Sequence, residues 1–527
     1  MHVSSNQTSH TTSFRVCTSS SSSLKQEMFS STDINVEKKQ SKHLNFFQRN
    51  LNLNLNSIQN FISSHPLFLL LIAFFAVQLI IIAVTRNLPA CFPDRKAKIA
   101  TATADAAGDS NGFQAESDAE PEGYKCPFGQ VYVYDLPSAF NDDLLSSDCT
   151  DLDPYNWQCG IAGNHGFGRP AAELVRILPE NLAKSWYRTN QFSLELIFHR
   201  RILQHRCRTS EPESAAAFYI PFYGGLAVGK YLWVDDIAKR DRLCNEMLDW
   251  VTSQKFWKRS NGSDHFLTLG RITWDFRRLT DPKSKWGSSL LNSPAMRNVT
   301  RFIIEKADDD DHDVAVPYPT GFHPSSRRDL NRWMDFVRGR DRNRLFTFAG
   351  AARPTAQPAV RGILLNQCRN ESETCWLVDC AAVPCASDAS ETMRALLGSE
   401  FCLQPSGDSS TRKSVFDCMV AGSVPVFFWN KTAYDQYEGF LPGDAESYSV
   451  YIDHELVKSG SLRVKEVLMK YSKQEIRKKR EKVIETIPRL IYGDFNEGML
   501  DFRDAFDVAI EGILERIKEE KEWVGFL

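Results

Sequence analysis

Short apolar runs alternate with helical patterns along most of the chain, from about Tyr124 onward. The runs are VYVY (131–134), AAAFYIPF (215–222), HFLTLG (265–270), VAVPYP (314–319), LFTFAG (345–350), FCLQP (401–405), VPVFFW (424–429) and YSVYI (448–452). Between them lie segments such as QFSLELIFHRRILQH (191–205), whose Phe192, Leu196 and Leu203 are spaced to share one buried helix face. Strands that alternate with helices predict an α/β fold with parallel sheets built from βαβ units.

The length of this region predicts two domains, because a single α/β core seldom extends over about 400 residues. We place the break after PYPTGFHP (317–324) and the charged stretch that follows, so that LFTFAG opens a second domain. The predicted domains are residues 124–325 and 340–527, two α/β domains that face each other across a cleft. Ligands of such sheets bind at the carboxyl ends of the strands.

The N-terminal part of the chain has a different composition. Residues 1–65 are rich in Ser, Thr, Asn and Gln, which predicts a disordered tail. Residues 66–84 are apolar except for Gln78 and are long enough to cross a bilayer as a single helix. A buried core helix is the alternative, although such helices seldom lack polar residues over this length. Residues 85–123 are rich in Ala, Asp and Gly, which suits a flexible stem.

Two features decide on which side of the membrane the large C-terminal region is expected to lie. Basic residues follow the apolar segment more closely than they precede it, which weakly favours a cytosolic C-terminal region. Against this, all but Cys17 of the 13 cysteines follow the segment, as do glycosylation sequons at Asn261, Asn298, Asn370 and Asn430. Both features are typical of the secretory lumen. We therefore predict a single-pass type II signal-anchor with a cytosolic tail and a lumenal domain, the layout of a Golgi membrane enzyme.

The cysteines of the lumenal region fall partly into two local groups. One consists of Cys368, Cys375, Cys380 and Cys385, and the other of Cys126, Cys149 and Cys159. The first group lacks the C-x2-C spacing of a zinc knuckle, and a lumenal location favours disulfides. The spacing leaves the connectivity open. The net charge of −3 gives no basic field, so a nucleic-acid partner has no electrostatic support.

The stretch SEFCLQPSGDSSTRKSVFDCMVAGSVPVFFW (399–429) places charged residues between two apolar strands. Its Ser409, Ser410 and Thr411 are good helix N-caps, so a helix is expected to begin near Arg412. Free backbone amides and the positive end of the helix dipole would suit a phosphate there, and Arg412 and Lys413 add formal charge. Asp417, just over one turn into the helix, could accept hydrogen bonds from ribose hydroxyls. An exposed Lys413–Asp417 ion pair is the alternative that the spacing leaves open.

The same stretch resembles the signature of the exostosin-type glycosyltransferase domain. The matching residues are Phe401, Cys402, Leu403, Pro405, Gly407, Asp408, Phe416, Asp417, Gly422, Pro425 and Val426. Ser414 stands near a position where many members carry Arg, a role that Arg412 could take, and Cys418 replaces a usual Ala. The segments 186–209, 215–233, 264–278 and 316–326 are similar to the plant xyloglucan galactosyltransferase branch, closest to the subgroup that acts on the second xylose of the repeat.

This resemblance implies a GT-B fold, in which two Rossmann-like domains face each other and the C-terminal one binds most of the donor. It implies an inverting transfer of galactose from UDP-galactose to O2 of xylose side chains of xyloglucan. No obligatory metal or other cofactor is implied. It leaves open a complex with other Golgi glycosyltransferases. It also leaves open a different donor, UDP-galacturonic acid or a UDP-pentose, and a non-catalytic polysaccharide-binding scaffold.

The resemblance assigns roles to particular residues. Donor-binding residues are expected to be Arg353, Gly407, Asp408, Ser409, Thr411, Arg412, Lys413 and Asp417. Asp275 is the first candidate for the catalytic base, because it follows the strand HFLTLG and matches the Asp of a His-Asp-aromatic motif in which Trp274 replaces the His. The alternative is an Asp275 that pairs with Arg277 or Arg278. Glu195 and His165 are the further catalytic candidates, and either could equally be structural.

Two other patterns have ordinary explanations. ADDDDHD (307–313) and DLD (151–153) match the Asp-x-Asp motif of metal-dependent glycosyltransferases, but a run of acids matches it trivially. We expect a solvated loop. Aromatic residues are dense in the first predicted domain, for example Tyr155, Trp157, Trp186, Tyr187, Phe222, Tyr223, Tyr231 and Trp233. We expect most of them in the core and some along a sugar-binding groove.

Overall fold

The computed structural model describes residues 126–146, 149–153, 158–279, 286–352, 360–381, 385, 389–407, 409–494 and 500–525. All of them belong to one compact unit, Ser117–Leu527. The predicted tail, membrane anchor and stem lie outside the described residues. Within the part of the chain that is described, no helix combines the length and the apolar character that a membrane crossing needs.

Six parallel strands form the first sheet. They are β1 (Gln130–Val133), β2 (Arg208–Thr209), β3 (Ala215–Ile220), β4 (His265–Leu269), β5 (Thr300–Ile303) and β6 (Asp313–Ala315). Their order across the sheet is β2-β1-β3-β4-β5-β6, and all neighbouring pairs are parallel. Every residue of β4 is buried, because helices cover both faces of a parallel sheet. The strand order reverses between β1 and β3.

Five parallel strands form the second sheet. They are β7 (Arg344–Gly350), β8 (Cys375–Asp379), β9 (Ser399–Gln404), β10 (Val424–Phe427) and β11 (Val450–Tyr451). Their order is β11-β10-β9-β7-β8, again with parallel neighbours throughout. Here the strand order reverses between β7 and β9. Both sheets therefore have the doubly wound topology whose reversal point is a binding crevice.

Helices connect and cover the strands. They are α1 (Asp142–Ser146), α2 (Glu180–Ala183), α3 (Leu194–Leu203), α4 (Gly224–Gly229), α5 (Ile237–Ser253), α6 (Lys255–Ser260), α7 (Arg327–Arg338), α8 (Val360–Asn370), α9 (Ala389–Gly398), α10 (Lys413–Val420), α11 (His454–Lys458), α12 (Val464–Leu468), α13 (Lys473–Thr486) and α14 (Ala505–Gly525). The longer ones begin where the sequence supplies a cap. Ser472 and Glu475 form a capping box at the start of α13, for example.

The final helix, α14, crosses to the first sheet. Lys521 Nζ donates to the carbonyl of Ala216 in β3 at 2.9 Å. At the other end of α14, the ring of Phe506 lies 5.2 Å from that of Phe198 in α3. One apolar core runs through these contacts and continues to residues of the second sheet and α10. The two sheets are thereby held against each other by a shared core.

The predicted α/β class with parallel sheets is confirmed, and each predicted strand overlaps an observed one. The apolar pattern misses β2, β5 and β8. In β5 the charged Arg301 interrupts the apolar run. Arg301 can be fully buried there because Asp313 of β6 balances its charge through an Nε–Oδ1 contact of 2.8 Å. Strand β2 is only two residues long.

Disulfides join five pairs of cysteines among the described residues: Cys126–Cys207, Cys149–Cys159, Cys368–Cys375, Cys380–Cys385 and Cys402–Cys418. The prediction of disulfides for the group that begins at Cys368 is confirmed. The prediction that Cys126 belongs to a local group is wrong. Its partner Cys207 directly precedes β2, and the Cys207 carbonyl accepts from the amide of Val131 in β1. Strand pairing therefore brings the two cysteines together.

Candidate active site

The reversal point of the second sheet lies where the predicted donor residues are found. Strand β7 ends at Gly350 and β9 ends at Gln404. The chain after β7 is described as far as residue 352, and residues 405–407 and 409–412 connect β9 to the helix that follows. Ligands of open α/β sheets bind between two such loops. Arg353 and Asp408 themselves lie outside the described residues.

Helix α10 begins at Lys413, directly after Arg412, as the sequence predicts. The expected capping is wrong, however. The N-cap residue is Arg412, which makes no capping hydrogen bond, so Ser409, Ser410 and Thr411 are not N-caps. A carboxylate from the first sheet also contacts this loop. Glu305, just after β5, accepts from the amide of Ser410 at 3.2 Å and from that of Thr411 at 3.1 Å.

Glu305 changes the electrostatics of this loop. Burial raises the pKa of its carboxyl, and the hydrogen bonds from the loop and the charge of Arg412 oppose that rise. Thr411 is buried, and its Oγ1 lies 3.2 Å from the hydroxyl of Tyr437, which also donates to the carbonyl of Ile304. The amides of Ser410 and Thr411 therefore do not point out of the loop as free donors. The protein's own acid occupies them.

Gly407 allows the loop to fold back on Arg412. A Cβ at position 407 would overlap the guanidinium of Arg412, so a larger residue there would displace that side chain. The amide of Gly407 also donates to the carbonyl of Ser409 at 2.9 Å. The tight turn keeps a cationic side chain against the loop at the reversal point.

Lys413 and Asp417 form the ion pair that their spacing allows. Lys413 Nζ lies 2.7 Å from Asp417 Oδ1 and 2.8 Å from Oδ2, and both side chains are partly exposed. The charge of Lys413 also reaches the imidazole of His323, whose pKa is lowered to about 3, chiefly by burial. His323 belongs to the segment between the two sheets. The start of α10 thus faces residues that follow the first sheet.

Asp275 lies in a short 3-10 turn, Thr273–Phe276, after the carboxyl end of β4. Its Oδ2 accepts from Arg271 Nε at 2.7 Å, and Arg271 Nη1 donates to Asp153 at 2.8 Å. Burial raises the pKa of Asp275, and Arg271 opposes the rise. The expected alternative of a pair with Arg277 or Arg278 is wrong, because those side chains bind other acids.

Tyr318 connects the two halves of the candidate site. Burial raises the pKa of its hydroxyl, and the charges of Glu305 and Asp275 act in the same direction, whereas those of Arg412 and Arg271 oppose it. Its ring lies 6.0 Å from that of Phe416 in α10. The charges of Asp275 and Arg412 thus both act on the Tyr318 hydroxyl, while the Tyr318 ring packs in the core shared with α10.

Glu195 occupies an enclosed position in α3. It is 1% exposed, and its Oε1 accepts from the amides of Gly225 at 2.5 Å and Gly270 at 2.8 Å. Its Oε2 has no hydrogen-bond partner among the described residues. Burial raises the pKa of the carboxyl to about 8. Glu195 thus ties the start of α4 to the end of β4 rather than presenting a carboxylate to the cleft.

His165 lies in a left-handed turn with Asn164, at φ values of 55° and 52°. Its side chain is exposed, and its pKa is lowered first by partial burial and then by Arg200, with Asp494 opposing. These neighbours differ from those of Asp275. Glu195, by contrast, lies close to the Arg271 that pairs with Asp275, since both side chains pack against Gly225.

The acidic run at 307–313 is a solvated loop, as we expected, at Asp308, Asp309 and Asp311, which are exposed, but not at Asp310 and Asp313. Asp313 is 3% exposed and binds Arg301, and Asp310 binds Arg277 through a contact of 2.8 Å. Buried guanidinium groups need these counter-charges. The second Asp-x-Asp match ends at Asp153, which is committed to Arg271. Within the described ranges, no group of three or more His, Cys, Asp or Glu side chains is arranged to hold a metal ion.

Sequence reasoning missed three residues of this site: Glu305, Arg271 and Tyr318. Arg271 directly follows the strand HFLTLG, so its place at a carboxyl end was a usable signal. Tyr318 lies in one of the segments that match the family. Glu305 follows β5, which the apolar pattern does not show, and no signal near it indicates a contact with Thr411.

Comparison with known proteins agrees with this geometry. The Exostosin GT47 domain matches residues 125–470. Xyloglucan galactosyltransferase XLT2 of Arabidopsis thaliana is 52% identical over 400 residues, which cover 76% of this chain and 77% of that protein. Xyloglucan galactosyltransferase MUR3 of the same plant is 39% identical and covers 74% of this chain and 63% of its own length.

Two further matches are relevant. Xyloglucan-specific galacturonosyltransferase 1 of Arabidopsis thaliana is 42% identical and covers 74% of this chain and 58% of its own length. A solved glycosyltransferase from Rickettsia africae aligns over 57% of this chain and 76% of its own at 8% identity and a TM-score of 0.27, too weak a likeness to support a conclusion. The family match extends over well more than half of the chain. The chain therefore belongs to the exostosin GT47 family and is a glycosyltransferase.

Proposed function

We propose that the chain is an inverting glycosyltransferase that moves galactose from UDP-galactose to O2 of xylose side chains of xyloglucan, for the synthesis of cell-wall hemicellulose. The single structural observation that carries this proposal is the position of the loop 405–412. It lies at the reversal point of the second sheet and is in contact with Glu305 of the first. The relative that is 52% identical bears the name of a xyloglucan galactosyltransferase, which supports the choice of substrates.

In this proposal the two sheets are the two Rossmann-like halves of a GT-B enzyme. The donor lies against the second half, with its diphosphate beside Arg412 and Lys413 and its ribose near Asp417. Because Glu305 occupies the amides of Ser410 and Thr411, the charged side chains become the first partners of the diphosphate. Fixed cationic donors stabilise the negative charge that grows on the departing UDP.

Asp275 is the proposed base. Inversion requires the acceptor hydroxyl to attack the sugar from the face opposite the departing diphosphate. A base that follows a strand of the first sheet and phosphate contacts from the second would meet that need, and Glu305 joins the two sheets at this loop. Asp275 takes the proton of the O2 hydroxyl, while Arg271 holds its carboxylate in place through the 2.7 Å contact. Holding both sugars in line supplies much of the remaining acceleration.

One observation favours a second donor, UDP-galacturonic acid. A relative that is 42% identical bears the name of a xyloglucan-specific galacturonosyltransferase. The carboxylate of such a donor would need one further cationic partner in the second half of the enzyme. The experiment that separates these two donors also has to test a UDP-pentose donor and a non-catalytic polysaccharide-binding scaffold.

The proposed location is the Golgi membrane, with a type II anchor at residues 66–84 and the described region in the lumen. Five disulfides among the described residues suit an oxidising compartment. A complex with other Golgi glycosyltransferases that act on the same polysaccharide is compatible with this placement.

The test is a donor panel. The full-length chain is incubated with a xylosylated cellotetraose and, in separate reactions, UDP-galactose, UDP-galacturonic acid and a UDP-pentose. We expect the mass of one hexose to be added from UDP-galactose, with the product linkage β to O2 of xylose by NMR. Addition of a uronic acid or a pentose instead would replace the proposed donor. No transfer from any of the three would favour the scaffold.

A further inference from the structure

Three exposed tryptophans are chain neighbours of residues whose backbones meet near Asp275. Trp233, Trp274 and Trp286 are 48%, 58% and 38% exposed, and the only other exposed tryptophan in the described part of the chain is Trp523. The rings of Trp233 and Trp286 lie 6.2 Å apart with an angle of 37° between their planes. Exposed aromatic side chains that collect in one place mark a binding surface more often than isolated ones do.

A three-way backbone junction holds these tryptophans together. The amide of Gly287 donates to the carbonyl of Leu232 at 2.8 Å, and the amide of Ser288 donates to the carbonyl of Asp275 at 2.8 Å. Gly287 has a φ of +72°, and a Cβ at this position would lie 2.6 Å from the Asp275 carbonyl oxygen. Leu232, Gly287 and Asp275 therefore meet closely, and only glycine fits between the other two.

Each tryptophan is the chain neighbour of one residue of the junction. Trp233 follows Leu232, Trp274 precedes Asp275 and Trp286 precedes Gly287. Because consecutive Cα atoms are about 3.8 Å apart, the Cα atom of each tryptophan lies only one residue from the junction at the Asp275 backbone. The surface they form, which we call the tryptophan platform, lies at the carboxyl edge of the first sheet.

The arginines nearest the junction are paired with acids. Arg278 is bound to Asp241, and Arg271 is bound to Asp275 and Asp153. The indoles therefore offer flat apolar faces, and the exposed charges that follow Trp233, Asp235 and Asp236, are negative. Such a surface suits a neutral ligand that has flat C–H faces and a hydroxyl rim, and pyranose rings have that form. It is poorly suited to an anionic ligand.

We propose that the tryptophan platform binds the glucan main chain of the acceptor. This inference rests on the proposed function and adds where the acceptor lies: glucose rings stack on the indoles, and a xylose side chain carries its O2 hydroxyl toward Asp275. The platform supplies affinity for the part of the acceptor that does not react. It therefore acts on acceptor binding and leaves the donor site unchanged.

The test measures acceptor binding without donor, by calorimetry on the full-length chain with a xylosylated cellotetraose and with plain cellotetraose. Trp274→Ala and Trp286→Ala should each weaken binding of both probes by about three- to tenfold, the effect of losing one stacking contact. Trp274→Phe should keep most of the affinity because a ring remains. Trp523→Ala is the matched control, since Trp523 is 62% exposed on α14, and it should bind as the wild type does. The melting temperatures should match throughout.

The outcomes separate this inference from the proposed function. If the wild type binds xylosylated cellotetraose and both alanine variants bind it equally well, the platform is wrong while the proposed substrate stands. If the wild type instead prefers another neutral glycan and the alanine variants lose that affinity, the platform stands and the substrate is wrong. If the wild type binds neither probe nor any other neutral glycan, the inference is wrong.

Discussion

The carboxylate of Glu305 accepts a hydrogen bond from the backbone amide of Thr411 at 3.1 Å, and this bond connects the two sheets of the molecule. Glu305 follows β5 of the first sheet, and Thr411 precedes α10, which follows the reversal point of the second. A negative side chain therefore stands where a phosphate-binding loop is expected to offer free amides. A diphosphate that binds here competes with Glu305 or lies beside it, next to Arg412.

Glu305→Gln should tighten UDP binding. Glutamine removes the negative charge but keeps a carbonyl oxygen that can accept one of the two amides. Because repulsion between the carboxylate and the diphosphate is lost, we expect the dissociation constant of UDP to fall by about fivefold, the scale of a single partly buried charge contact. Isothermal titration with UDP measures it. A rise in that constant would show that Glu305 supports donor binding by shaping the loop.

A pair of variants can distinguish the roles that we propose for Asp417 in ribose binding and for Lys413 in diphosphate binding. Their ion pair on α10 contributes about 0.3–0.5 kcal/mol as an ordinary surface pair, and either substitution removes it. Asp417→Ala should in addition raise the KM for UDP-galactose by about tenfold, because a hydrogen bond from the ribose to a charged acceptor is lost. Lys413→Met keeps Asp417 available and should affect UDP, through the diphosphate, more than it affects uridine.

Inhibition by uridine and by UDP makes this comparison. Asp417→Ala should weaken both inhibitors to the same extent, because both carry the ribose. If both variants lose the same small amount of stability and are inhibited by uridine and UDP as the wild type is, the ion pair is only structural. Asp417 then does not bind the ribose.

Asp275→Asn should lower kcat by about a hundredfold or more, because asparagine cannot take the acceptor proton. UDP binding should remain within twofold of the wild type, since the donor contacts lie on the second sheet. Asp241→Asn is the control. Asp241 is also a largely buried carboxylate paired with an arginine of the same segment, Arg278, and its loss should lower the melting temperature while kcat stays nearly normal. Near-normal turnover in Asp275→Asn would remove it as the base.

The extent to which sequence predicts this fold depends on where each strand lies. Strands such as β4 and β10 are buried on both faces, so they appear as unbroken apolar runs that pattern alone reveals. Strand β5 is equally buried but contains Arg301, which is neutralised by Asp313 twelve residues later. A charge that is compensated through tertiary contact cannot be recognised as a core residue from its neighbours in sequence.

The candidate site likewise has features that the local sequence predicts and features that depend on tertiary contacts. The start of α10 and the need for Gly407 follow from local signals, small residues after a strand and a helical pattern beyond them. The Asp275–Arg271 pair is local too, yet Arg277 and Arg278 are nearer in sequence and were the partners considered in the alternative to a catalytic role. The 3-10 turn at 273–276 directs them elsewhere, Arg277 to Asp310 and Arg278 to Asp241. The contact of Glu305 with Thr411 joins the two sheets, and only the fold reveals it.

The raised pKa of Glu195 predicts how the stability of the fold depends on pH. Its pKa is raised from 4.5 to about 8, chiefly by burial, so the folded chain retains a proton that the unfolded chain releases once the pH exceeds about 4.5. The stabilisation is fully present below pH 4.5, is lost progressively as the pH rises to about 8 and does not change further above that. Glu195→Gln has no such proton, and its amide oxygen can still accept from Gly225 and Gly270.

Thermal unfolding of the two proteins at pH 5 and pH 8 measures the effect. Glu195→Gln should melt close to the wild type at pH 5 and above it at pH 8, because only the wild type then buries a charge. Asp507→Asn is a matched control: burial and Asp504 raise the pKa of Asp507 to about 7, so its difference from the wild type should develop at lower pH and be complete by about pH 7. A constant difference between Glu195→Gln and the wild type from pH 5 to pH 8 would mean that Glu195 is ionised in the fold throughout, held by the two glycine amides and the charge of Arg271.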